Sequence, residues 1–216
     1  ADASVGAATA SDTLALTGAL TDGDSGFTLT KVGAGRVLLD GNSSGFTGTT
    51  AVTAGTLEVG DANHPNTTLG GSVTVGSGGT LMGHGTIAGG VTNGGNVQPG
   101  GTVGVMTVAG NYTQTGAGTL TIEITPNAAG GPGVGYSQLA VGGTATLNGT
   151  LASGDDPGTY TVGSRYTVLT AAGGLGGTKF AATTYNPIFA GYITPDVTYD
   201  ANNAYLTLHP TPSPVP

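Results

Sequence analysis

Four groups of residues in this chain have the types and spacing that chemistry uses. The first, Gly23-Asp24-Ser25-Gly26, carries the four letters that surround the nucleophile of trypsin-like serine proteases. In that arrangement the triad His and Asp precede the Ser along the chain. Here the first histidine is His64, and Phe27 stands where the motif needs a second glycine. Asp, Ser and Gly form turns through local hydrogen bonds and permissive backbone angles, so the stretch reads as a turn between Ala19-Leu20 and Phe27-Thr28-Leu29. The second group, Asp22-Gly23-Asp24-Ser25-Gly26, opens like a calcium loop. Such a loop needs Gly at its sixth position and Glu at its twelfth, and Phe27 and Gly33 occupy them. The nonapeptide GGxGxDxUx of calcium-binding β-helices is missing as well.

Asp155-Asp156 is the third group. Glycoside hydrolysis needs two carboxyls facing each other across a cleft, whereas neighbouring strand residues point to opposite faces. Pro157-Gly158 follows as a turn, and Glu58 and Glu123 are the only glutamates. The histidines are the fourth group: His64, His84 and His209 sit in NHPN, MGHGT and LHP. None shares the i, i+2 or i, i+4 spacing that makes a ready metal pair, so they read as surface residues and no metal site is expected. Glycine strings such as GGVTNGGNVQPGG lack the Lys-Ser/Thr of a phosphate loop and read as turns. No catalytic residue and no cofactor is expected.

The elements that carry these groups follow from composition. Only 7% of the 216 residues are charged, 43 are Gly, and there is no Cys. Glycine costs about 0.5–1 kcal/mol in a regular element relative to Ala, so this many implies short strands with frequent tight turns. A hydrophobic content of 37% argues for a folded chain rather than a disordered one. The absence of Cys excludes thiolate metal sites, cysteine nucleophiles and disulfides. With a net charge of −8 and Lys31, Arg36, Arg165 and Lys179 as the fixed cations, nucleic acid is not an expected partner. The longest apolar runs fall well short of the ~20 residues of a membrane-spanning helix, and Ala1-Asp2-Ala3 reads as the start of a mature chain.

Alternation in GTLTIEI places Leu120, Ile122 and Ile124 on one face, and Leu57 and Val59 alternate likewise in GTLEVG. Gly-Thr-Leu recurs at Gly55, Gly79, Gly118 and Gly149, with Gly-Thr-Ile at Gly85. A period near two dozen residues, each holding two or three short strands, predicts the coils of a parallel β-helix. Most aromatics lie at or after Tyr160, among them Tyr166, Phe180, Phe189, Tyr192, Tyr199 and Tyr205. A solenoid end needs a cap, so residues 155–209 are expected to close the core, with Tyr166, Phe180, Tyr199 and Tyr205 as capping rings. The Pro-rich residues 210–216 read as an extended linker to a further domain.

TLTKVGAGRVLLDGNSSGFTGTTAVTAGTLEVG, residues 28–60, resembles the passenger-associated strand repeat of bacterial autotransporters, the type V secretion family. The resemblance lies in Leu-Thr-Lys, Gly-x-Gly, a short apolar strand, a Phe-Thr-Gly turn and a closing Gly-Thr-Leu. VMTVAGNYTQTGAGTLTIEI, QLAVGGTATLNGTL, GSRYTVLTAAGGLGGTKF and TPDVTYDANNAYLTL resemble the last coils and the autochaperone-like end of such passengers; QPGGTVG departs from the turn common there. The resemblance implies an all-β, right-handed parallel β-helix with a C-terminal aromatic-rich cap. It would comprise coils over residues 1–110, final coils and cap over 111–209, and the linker toward a translocator β-barrel. It further implies a non-catalytic stalk and folding template at the surface of a Gram-negative bacterium, with its own upstream passenger domain and the barrel as partners. A host surface protein or glycan, met through GDANHPNTTLGG (residues 60–71), is the alternative partner.

Overall fold

The computed structural model describes residues 1–126, 130–186 and 193–211. Twenty-two short strands and no helix make up the described residues, and no helix is long and apolar enough to cross a membrane. The chain winds as a right-handed parallel β-helix with three sheets. The first sheet stacks β1 (Ala3–Gly6), β3 (Leu29–Val32), β5 (Thr49–Val52), β8 (Ser72–Val75), β11 (Val91–Asn93), β14 (Tyr112–Gln114) and β17 (Ala145–Thr146). The second stacks β2 (Thr13–Leu16), β4 (Arg36–Leu39), β6 (Gly55–Val59), β9 (Gly79–Gly83), β12 (Asn96–Pro99), β15 (Thr119–Ile124), β18 (Thr150–Asp155) and β20 (Ala182–Thr184). The third begins later in the chain, with β7 (Thr68–Leu69), β10 (Thr86–Ile87), β13 (Val105–Val108), β16 (Gln138–Val141) and β19 (Arg165–Ala171).

Register explains the imperfect repeat. Thr56 pairs with Thr80, Thr80 with Asn96, Asn96 with Thr119 and Thr119 with Thr150. Gly95-Asn96-Val97 is therefore the missing copy of Gly-Thr-Leu, and Gly35-Arg36-Val37 is an earlier one, paired through Arg36 with Thr56. The copies look unevenly spaced because rungs differ in loop length: Thr80 and Asn96 are 16 residues apart, Thr119 and Thr150 are 31. The Gly-Thr-Ile at Gly85 is a different feature. Its Ile87 pairs with Leu69 and Val108 in the third sheet.

The glycine that opens each copy is fixed by close approach. Gly55 has φ +61°, and a Cβ there would lie 2.5 Å from the carbonyl oxygen of Gly33 in the rung before. Consecutive rungs are that close at the corner where the chain leaves the first sheet for the second.

Inside, side chains form columns. Val37, Leu57, Leu81, Val97, Leu120 and Leu151 run down the second sheet, and Leu69, Ile87, Val108, Val141 and Ala171 down the third. Leu57, Val59, Leu120, Ile122 and Ile124 are all inaccessible or nearly so, and belong to one continuous core. Outward positions are filled largely by Thr, whose β-branched carbon suits an extended backbone. Thr74, Thr92, Thr113 and Thr146 follow one another down the first sheet.

Parallel stacking continues through β20, past residue 155 where the cap was expected to begin. The polarity then changes. β21 (Ile193–Tyr199) and β22 (Asn203–Pro210) form a hairpin, and β22 lies antiparallel on β19. Ala204, Leu206 and Leu208 face the core from β22. Tyr166 is buried and meets Tyr136 edge-on at 5.3 Å; Phe180 is buried beside the half-buried Tyr199 at 6.4 Å, and the Tyr199 hydroxyl accepts the Phe180 N–H. Tyr205 differs from the expectation of an inward capping ring. It occupies the opposite phase of β22 from Leu206, so it stands outside, under the Arg165 guanidinium at 3.5 Å, and donates its hydroxyl proton to Asp200. That bond is the largest cause holding the Asp200 carboxyl below its ordinary value. Phe189, Tyr192 and residues 212–216 of the expected linker lie outside the described residues.

Replacing Ile122, at the middle of β15, with Asp would bury an unpaired charge against the second-sheet column. Ile122→Asp is expected to cost about 3–5 kcal/mol, read as a fall in the urea midpoint at unchanged slope.

Candidate functional site

Two places combine polar side chains in a way the bare stack does not require. The first is internal. Lys31 on β3 is in phase with Leu29, so alternation turns it inward, and it has no solvent exposure. Its ammonium donates to the carbonyls of Val32, Gly33 and Ala54, each at 2.9 Å. Val32 and Gly33 form the corner of its own rung, and Ala54 the same corner of the next. Burial depresses the Lys31 pKa below its ordinary value.

The same column runs Lys31, Val52, Val75, Asn93, Gln114. Asn93 donates to the Tyr112 hydroxyl and to the Thr119 carbonyl at 2.8 Å, and accepts the Gly95 N–H. Tyr112 donates to Gln114 at 2.7 Å, and Gln114 donates to the carbonyls of Gly118, Asn148 and Thr150. Total burial drives the Tyr112 hydroxyl pKa upward. Three times, then, a buried polar side chain ties the corner of its own rung to the next: Lys31 and Gln114 by donating to both, Asn93 by accepting at its own and donating to the next. Corner carbonyls point away from the ladder, and an unpaired one would cost about 1–3 kcal/mol. The sequence assigns none of these residues an inward role, although LTK, VTN and YTQ each put a polar residue in the apolar phase.

The second place is the outer end of the β4–β6 pair. Glu58 faces outward yet is only 4% exposed, because Arg36, Met82 and the loop after β6 line the recess around it. Arg36 Nε meets Glu58 Oε2 at 2.7 Å. Burial raises the Glu58 pKa; the Arg36 charge opposes this, while Asp61 and Asp40 add to it. The loop carries Asp61 and His64, 2.8 Å apart, and Asp40 approaches the same imidazole nitrogen at 3.4 Å from the previous rung.

The other groups singled out from sequence do not converge. Asp22 accepts the Gly26 N–H within its own turn and both the N–H and hydroxyl of Thr47 one rung on. The Thr47 N–H is the largest cause lowering its pKa. Gly23, Asp24 and Gly26 all have positive φ, and Ser25 hydrogen-bonds to Gly23 and Asp22. This is the geometry of a stapled turn. His84 is half-buried rather than on the surface, with Nε2 3.3 Å from the Val103 carbonyl; His209 is exposed. Asp155 lies at the end of β18. Glu123 on β15 is half-buried, and burial first, then the Asp156 charge, raises its pKa. Leu57, Val59, Leu120, Ile122 and Ile124 are distributed along the core, and Tyr166, Phe180 and Tyr199 along the C-terminal end.

Residues 29–59 match the family model of the Passenger-associated-transport-repeat. The match spans β3 to β6, from Leu29 beside the buried Lys31 through both of the corners that Lys31 joins. Together with the stacked parallel strands it fits a segment of an autotransporter passenger. No curated protein matches the chain.

Lys31→Met keeps the bulk and removes three donors, so it is expected to cost about 2–4 kcal/mol, measured by urea unfolding. Lys31→Arg should recover part of that loss. Glu123 generates a pH effect. With its folded pKa above the ordinary 4.5, the native state holds that proton longer, so stability falls as pH rises from 4.5 through the raised value. Glu123→Gln removes this loss: across pH 4 to 7 the variant should gain stability relative to the parent, read from melts at each pH.

Proposed function

We propose that the chain is a non-catalytic, membrane-proximal β-helix segment of a secreted autotransporter passenger, serving as stalk and folding template for a domain upstream of it. One observation carries the reading: a passenger repeat is built into a continuous parallel stack whose C-terminal end is closed by an antiparallel hairpin. In a one-dimensional stack each rung is stable only against a neighbour. An end closed by its own hairpin can order first and offer its free edge to the next rung. A chain without Cys suits passage through a pore before folding, since no disulfide has to form or break. The reading places the protein at the cell surface or secreted from it, with its upstream domain and a C-terminal translocator barrel as partners.

A second reading, adhesion to a host protein or glycan, is favoured by the loop after β6. It stands between two surface recesses, one lined by Asp40, Asn42 and Asn66, the other by Glu58, Met82 and Thr102.

Deleting residues 111–209 from the full-length protein separates the two. The template reading expects the upstream passenger to reach the surface but to lose protease resistance. Unchanged display and resistance would overturn it, and saturable binding lost on replacing residues 60–67 would put adhesion in its place.

A further inference from the structure

Asp40 closes β4, and Asp61 and His64 stand on the loop after β6 in the next rung. Their ligand atoms all lie within 4.8 Å of one another. His64 Nδ1 is 2.8 Å from Asp61 Oδ1 and 3.4 Å from Asp40 Oδ1. In any charge state of the imidazole, Nδ1 carries at most one proton and can donate once. The shorter contact takes it to Asp61, whose Oδ1 is oriented further by the backbone N–H groups of Asn63 and His64 at 2.9 Å.

Asp40 Oδ1 is left over. It is sealed from solvent and accepts no hydrogen bond, and its side chain is only 12% exposed. Carboxylate oxygens in such a position ordinarily find a donor or a cation. The guanidinium of Arg36 is engaged by Glu58 and does not satisfy Asp40. The cluster thus holds two carboxylates, an imidazole and one stranded oxygen around a single point. A shared cation fills that need where a single proton cannot.

We propose that Asp40, Asp61 and His64 form a surface binding site for a divalent transition-metal ion of the zinc type, with the unprotonated His64 Nδ1 and one oxygen of each aspartate as ligands. Ligand bonds of about 2.0–2.2 Å set tetrahedral neighbours roughly 3.4 Å apart, close to the observed Asp40–His64 separation, and a small opening of the Asp61–His64 contact completes the set. The imidazole selects against magnesium and calcium, which prefer oxygen donors throughout. The recess beside the cluster, lined by Asn42, Asn63 and Asn66, leaves room for water as fourth ligand. Binding clamps the loop after β6 to the preceding rung. Neither the passenger assignment nor the template reading is needed for this site.

The test is calorimetric titration of Zn²⁺ into the chelator-stripped chain at pH 7.5, with the histidine ¹⁵N resonances followed in parallel. One equivalent should bind, with a large shift at His64 Nδ1 and little change at His84 and His209. Asp40→Asn should weaken binding at least tenfold and His64→Gln abolish it, while His84→Gln leaves it intact. His64 lies on an exposed loop while Asp40 and His84 are partly buried, and an unchanged far-UV spectrum verifies the fold of each variant. Absence of saturable binding, equal affinity in His64→Gln, or a shift centred on His84 or His209 overturns the proposal, as does preference for Ca²⁺ over Zn²⁺.

Discussion

The structure depends on one constraint: at corners between the first and second sheets, backbone carbonyls turn away from the strand ladder, and a buried group must donate to them. A parallel ladder satisfies only the groups that lie in strands. At the corners, the chain brings in side chains from within the core. Lys31 serves two rungs at the upper end, and Asn93 with Gln114 serves three lower down. Between them, Val52 and Val75 keep the column apolar. This pattern adds to hydrophobic burial in fixing register, since a slip of one residue would turn every donor outward and strand the carbonyls it serves.

The same constraint accounts for glycine. Where the corner tightens, the preceding rung's carbonyls leave no room for a Cβ, and Gly55 answers that demand while Leu57 two residues on fills the core. Matching of the passenger repeat to residues 29–59 then has a physical content: the motif encodes one corner donor, two glycine corners and the apolar strands between. The loop after β6 gathers Asp61 and His64 beside Asp40, and the hairpin of β21 and β22 closes the stack.

Much of this was legible in the sequence. Alternation in GTLTIEI identified Leu120, Ile122 and Ile124, and the recurrence of Gly-Thr-Leu identified the rung. Two kinds of feature were not read. Lys31, Asn93 and Gln114 sit in the apolar phase of LTK, VTN and YTQ, but a polar residue there looks like a strand exception until the facing carbonyls are known. Asp40 and His64 are separated by a whole rung whose length varies from place to place, so no fixed spacing joins them. Tyr205 is a third: aromatic composition groups it with the expected capping rings, while only the alternation of Ala204, Leu206 and Leu208 tells that this ring faces out.

If corner donors and the closing hairpin make the C-terminal rungs the seed on which the others stack, local stability must be graded along the axis. Native-state hydrogen exchange measures that gradient directly. The account predicts opening free energies that rise from β1–β4 toward β15, β16, β19 and β22, with the slowest amides in the last group. Uniform protection along the stack, or slowest exchange in the first rungs, would contradict it.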